Sequence, residues 1–113
     1  MEYQHKNLAN GKWQEFSLIE QMANIGSEIS RAALWQNKVQ KIFDSVVLRA
    51  LELFDLTLCD KRWNGRKKEI ARAKEVFCDA VFGGKEYNSS LKNLEKYFFY
   101  FAFLVRNKLI MSS

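Results

Sequence analysis

The chain has 113 residues, enough for one domain with a single core. Hydrophobic residues make up 48% and aromatics 14%, which excludes disorder over most of the length. A net charge of +5 and a pI of about 9.3 point only weakly to an anionic partner, since many soluble domains carry such an excess without binding nucleic acid.

Proline is absent and only five glycines occur, so long helices run without a breaker. Residues 1–16 read as a polar lead-in, ordered where Trp13 and Phe16 dock. Met1 to Lys6 leads into polar sequence with no apolar segment, so no signal peptide is expected and the cytoplasm is the default location. Residues 17–113 then form a single domain. Ser17-Leu18-Ile19-Glu20 is a capping box that opens a first helix running to about Gln36. Leu18, Ile19, Met22, Ile25, Ile29 and Ala33 form its apolar stripe. Gly26 lies on the same stripe, where it costs up to about 1 kcal/mol. Close approach of a neighbouring helix is the expected compensation.

Asn37-Lys38 permits only a short connection, which makes the second helix an antiparallel neighbour. That helix, about Val39 to Cys59, is expected to bury Val39, Phe43, Val46, Val47, Ala50, Leu51, Phe54 and Leu58. Lys41, Asp44, Ser45, Glu52 and Asp55 are placed on its outer face. Asp60 to Gly65 reverses the chain into a third helix, about Arg66 to Phe82, with Ile70, Ala73, Phe77, Ala80 and Val81 inward. Gly83-Gly84 stops it. Ser89 or Ser90 caps a fourth helix that runs to about Met111, with Leu91, Leu94, Phe98, Phe101, Ala102, Val105 and Leu109 as its inner stripe. The fold class expected is all-α: an antiparallel, up-down-up-down four-helix bundle.

The fourth helix carries the apolar run Tyr97 to Val105, nine residues, well short of the roughly 20 needed to cross a bilayer. No membrane association is therefore expected. Such a run leaves a helix without a polar side, and three partner helices cover only one side of it. Phe99 and Phe103, with Ile110, fall on the side that should be wet. A homodimer through these residues is the expected partner arrangement. The alternative is that the N-terminal segment folds back over them through Trp13 and Phe16.

The densest chemical signal is Asp60-Lys61-Arg62-Trp63-Asn64-Gly65-Arg66-Lys67-Lys68. Basic residues around an indole suit phosphate contact combined with base stacking, so RNA or DNA is the candidate ligand. Lys61, Arg62, Trp63, Arg66, Lys67, Lys68 and Arg106 are the candidate nucleic-acid-binding residues. In an up-down-up-down bundle, Lys6, Lys12, Trp13, Arg106 and Lys108 gather at the same end. The plainer reading is a solvated turn. Arg66 to Lys68 also open a helix, where positive charge opposes the dipole.

No catalytic residue, cofactor or metal site is expected. The only histidine is His5, and the sequence has no Gly-rich phosphate loop or Ser/His/Asp set. Cys59 and Cys78 would lie ~15 Å apart along a helical hairpin, beyond the reach of a disulfide. Two thiols without clustered histidines make a poor zinc site. Free cysteines agree with a reducing compartment. Glu28, Arg31 and Arg49 border the core and suit interhelical pairing.

Three resemblances follow from particular residues. Glu52, Asp55, Glu75 and Asp79 resemble the ExxE and ExxD metal sites of all-α nucleotide pyrophosphohydrolases, which would imply a Mg²⁺-dependent nucleotide- or RNA-processing enzyme. The spacing of Glu75 and Asp79 departs from that pattern, and helical phasing places all four outward. Arg106-Asn107 resembles the first half of the Arg-polar-x-x-x-His motif of HEPN ribonucleases, small helical proteins that are usually dimeric. Met111 stands where the histidine should be, so no general base is present and the resemblance implies a degenerate, non-catalytic relative. Glu20 to Ile29, Arg49 to Thr57 and Tyr97 to Arg106 together are similar to a group of short all-α bacterial proteins of unknown function, which implies no activity. The expectation is a non-catalytic, self-associating interaction protein that contacts nucleic acid through its basic end.

Overall fold

The computed structural model describes residues 11–83 and 90–112, with side chains up to residue 107. It is an all-α bundle of four helices: α1 (Leu18–Trp35), α2 (Gln40–Leu58), α3 (Lys67–Phe82) and α4 (Leu91–Ser112). Two 3₁₀ turns, Lys12–Glu15 and Lys61–Arg66, precede α1 and α3. No strand occurs among the described residues. Helix α1 packs against α2 and α4, α2 against α3, and α3 more lightly against α4.

Local chemistry sets the ends. Ser17 Oγ accepts from the Glu20 amide at 3.2 Å and Glu20 Oε1 accepts from the Ser17 amide at 3.0 Å, completing the capping box. Asn37 turns the first connection in the left-handed region at φ +64°, a conformation asparagine tolerates better than most residues. Gly83 closes α3 at φ +73°, while Gly84 and Ser89 lie outside the described residues. Ser90 Oγ accepts from the Asn93 amide at 3.2 Å and so caps α4.

Phe54 of α2 holds the centre of the core. Its ring centroid lies 5.8 Å from Phe77 of α3 and 6.2 Å from Phe98 of α4, both within the favourable range for aromatic pairs. Ile25 and Ile29 of α1 complete it, fully buried. A β-carbon at Gly26 would stand 2.9 Å from Phe98 Cβ, so the missing side chain is what lets α4 approach α1 this closely. Glu28 of α1 is buried and accepts from Arg31 at 2.6 Å and, across the helix pair, from Arg49 at 3.4 Å.

Several expected positions differ. Glu52, expected outside, is buried, because α2 is covered on a wider arc than its apolar stripe implied. Ile19 and Val39, expected inside, sit at helix ends where no neighbour reaches them, and both are exposed. Ala102 is exposed because Ala23 and Ser27 across the α1–α4 groove are too short to close over it. Leu109 falls outside the described side chains.

Candidate functional site: the basic turn and its polar core

The 60–68 turn is built around Asp60, a buried carboxylate that caps the 3₁₀ turn Lys61–Arg66 by accepting from the Arg62 amide at 3.1 Å. The Arg62 guanidinium folds back onto the same carboxylate, with Nε at 3.0 and 3.2 Å and Nη2 at 2.7 Å. Its Nη2 also donates to the Phe16 carbonyl at 2.7 Å, tying the turn to the N-terminal segment. The guanidinium carbon lies 4.4 Å from the Trp63 ring centroid, in cation–π range. The Arg62 guanidinium holds the Asp60 carboxyl below its ordinary value of 3.8, against the opposing effect of burial, with Gln21 adding a smaller contribution in the same direction.

Gln21, fully buried on α1, is the hub of this region. Its Nε2 donates to the Trp13 carbonyl at 2.9 Å and to Asp60 Oδ2 at 3.1 Å. Its Oε1 accepts from Trp63 Nε1 at 2.9 Å. A primary amide is the side chain that offers two donors and an acceptor from one uncharged group. Beneath it, Trp13 Nε1 donates to Thr57 Oγ1 at 2.9 Å, and that hydroxyl donates to the Leu53 carbonyl at 2.9 Å. The chain of bonds therefore runs from α2 through Trp13 and Gln21 to the turn.

This arrangement accounts for each candidate binding residue. Arg62 and Trp63 are brought together, but both are engaged inward: the guanidinium by Asp60 and Phe16, the indole N–H by Gln21. Arg66 pairs with Glu69 in the first turn of α3 at 3.2 Å, which relieves its conflict with the helix dipole. Lys61 and Lys68 are exposed and Lys67 is half-buried. Lys12 is exposed on the 3₁₀ turn whose Trp13 docks here. Arg106 lies on α4, lining the α1–α4 groove with Glu20 near the start of α1. Lys6 and Lys108 lie outside the described residues and side chains.

Trp13 is 1% exposed and touches Phe16 edge-on at 5.7 Å. It is a core residue of the turn region rather than a cover for α4. Phe99 and Phe103 are each 59% exposed, so residues 11–16 do not cover them. Ile110 falls outside the described side chains.

The carboxylates are dispersed. Asp55 pairs with Lys74 at 2.6 Å, Glu52 is buried, Glu75 is exposed and Asp79 is half-buried. Among the described residues, no group of three or more His, Cys, Asp or Glu side chains is placed to hold a metal ion. Cys59 and Cys78 are free thiols; burial pushes the Cys78 thiol up, despite the opposing influence of Lys74. Among the described residues, no helix is long and apolar enough to cross a membrane.

Gln21 and Thr57 are the residues that pattern reading missed. The available signal was a polar side chain on an otherwise apolar stripe, Gln21 between Leu18 and Ile25, and Thr57 one turn beyond Phe54. No family model matches the chain, and no curated protein or solved structure is similar to it.

Proposed function

We propose that this chain is a non-catalytic interaction protein that works as a homodimer, joined through the face of α4 that carries Phe99 and Phe103. The observation behind this reading is the exposure of those two rings, 59% each, while the described N-terminal segment is committed to the Asp60 turn. Tyr97 and Tyr100 extend the exposed aromatic surface along α4.

Burying the exposed part of one such ring contributes about 1–2 kcal/mol. Four rings in a symmetric dimer supply ~4–7 kcal/mol, near the lower end of what association costs. The rings alone roughly offset that cost, so a reversible dimer in the micromolar range draws the further ~8 kcal/mol it needs from the remaining contacts along α4.

Within one copy, the bundle reads as up-down-up-down with neighbouring helices antiparallel. Glu28 reaches Arg49 between α1 and α2, and Asp55 reaches Lys74 between α2 and α3. Along the α1–α4 grooves, Ser30 shares a lining with Glu95 and Glu20 with Arg106, so numbers rise on one helix as they fall on the other. Two free thiols fit a reducing compartment such as the cytoplasm. Contact with RNA or DNA would fall to Lys61, Lys67 and Lys68, since Arg62 and Trp63 are held by internal partners.

Sedimentation velocity across the micromolar range tests the central reading. The expected result is a shift from monomer to dimer that the Phe99→Gln/Phe103→Gln variant abolishes without loss of helicity. A wild-type chain that stays monomeric throughout would overturn it. For the basic turn, a labelled oligonucleotide should shift in a salt-dependent manner and lose that shift in Lys61→Glu/Lys67→Glu/Lys68→Glu; unchanged binding removes the turn from consideration.

A further inference from the structure

We infer that two copies join by laying α4 antiparallel against α4 about a two-fold axis, in the register that sets Glu95 of each copy opposite Arg106 of the other and Phe99 opposite Ala102. This rests on the self-association proposed above and specifies its geometry.

Glu95, Phe99, Ala102 and Arg106 follow a spacing of four, three and four residues, which places them in one row along α4. Phe99, Ala102 and Arg106 are exposed and Glu95 is half-buried. All four line the grooves between α4 and α1, beside the short side chains Ala23 and Ser27. The row is thus a surface with a large ring and a small residue at its middle and opposite charges at its ends.

Such a row is self-complementary only when run against itself in reverse. Antiparallel pairing about a point between residues 100 and 101 matches positions whose numbers sum to 201. Residue 95 then meets 106 and residue 99 meets 102. Each Phe99 ring faces the space above the other copy's Ala102, at a groove of about 510 Å³ that also includes Ala23, Ser27 and Val105. A parallel pairing would instead set like charge on like charge and ring on ring.

The charges add an independent argument. Neither Glu95 nor Arg106 has an ion-pair partner among the described residues, whereas Glu28, Asp55, Asp60 and Glu69 each have one. Glu20, which lines the groove beside Arg106, is tied to the Ser17 amide. Glu95 and Arg106 are eleven positions apart, about 16 Å along the helix, so the two cannot pair within one chain.

Charge reversal with rescue is the test, read by sedimentation of the full chain at low salt. Glu95→Arg and Arg106→Glu should each weaken dimerisation roughly tenfold or more, because two symmetric contacts become repulsive at once. The double variant Glu95→Arg/Arg106→Glu should return the dissociation constant close to that of the wild type. A wild-type dimer indifferent to both single reversals would overturn this register while leaving self-association intact. A monomeric wild type would remove both.

Cross-linking gives a second readout that does not depend on charge. In a Cys59→Ser/Cys78→Ser background, a mixture of Phe99→Cys and Ala102→Cys chains should form a disulfide-linked pair faster than either chain alone. Equal rates in the mixture and the separate chains would also overturn the register.

Discussion

Replacing Gln21 with leucine isolates what the buried polar hub contributes. The substitution keeps the size and removes the polarity. Trp13 O, Asp60 Oδ2 and Trp63 Nε1 each lose a partner at 2.9–3.1 Å. Trp63 is half-buried and recovers a water; Asp60 keeps Arg62. The carbonyl of Trp13 keeps its bond from the Phe16 amide at 3.2 Å, so it loses one of two partners, at about 0.5–1.5 kcal/mol. Weakening the bond to the Asp60 carboxylate adds ~1–2 kcal/mol, and the added apolar surface offsets ~1 kcal/mol. The net loss is about 1–2 kcal/mol, a substantial share of the ~5–15 kcal/mol that holds a domain folded. At this chain length that corresponds to a fall in Tm of roughly 5–10 °C. Urea unfolding followed by far-UV circular dichroism and by tryptophan fluorescence measures it. Gln14→Leu, the same chemical change at an exposed position, should be silent. In a double-mutant cycle, Gln21→Leu and Trp63→Phe should couple, because they remove opposite ends of one bond. A Gln21→Leu protein within about 0.5 kcal/mol of the wild type, with unchanged fluorescence, would refute the hub argument.

Three further outcomes are expected. Gly26→Ala should destabilise despite the better helix propensity: the gain of about 1 kcal/mol meets an overpacking cost of ~1–3 kcal/mol as Phe98 Cβ is displaced, and Gly26→Leu should do more harm; thermal unfolding decides. The Asp60 carboxyl has its pKa lowered on folding, so it contributes stability that is complete above its unfolded value near 3.8 and is lost as pH falls through the lower folded value. The stability gap between wild type and Asp60→Asn should accordingly be wide at neutral pH and narrow below pH ~4, read by urea midpoints at several pH values. Finally, a thiol reagent should label Cys59 quickly and Cys78 slowly, since the first is exposed and the second is half-buried with its pKa raised by burial. Cys59→Ser should abolish the fast phase alone.

The four helices were legible before any coordinates, and their limits agree with the structure to within about two residues. Four of the boundaries have a local cause that a pattern reader sees: the Ser17–Glu20 box, the short Asn37-Lys38 connection, Gly83 and Ser90. The role of Gly26 was legible for the same reason, since an unfavourable residue on a buried stripe demands a close neighbour. The Asp60 turn was legible as a cluster and not as a network. Arg62 and Trp63 look like ligand-binding groups when the partners that hold them, Phe16, Gln21 and Asp60, are still distant or unplaced in the chain.

Local propensity and apolar spacing, which act within a few residues, thus determined where the helices lie and which stripe each turns inward. Tertiary packing alone decided the rest: that Trp13 seals the Asp60 turn instead of covering Phe99 and Phe103, that Glu28 reaches Arg49, and that Glu52 is buried. Those outcomes depend on which surfaces meet across 20 to 45 residues of intervening chain, and no periodicity along one helix records what lies on the other side of it.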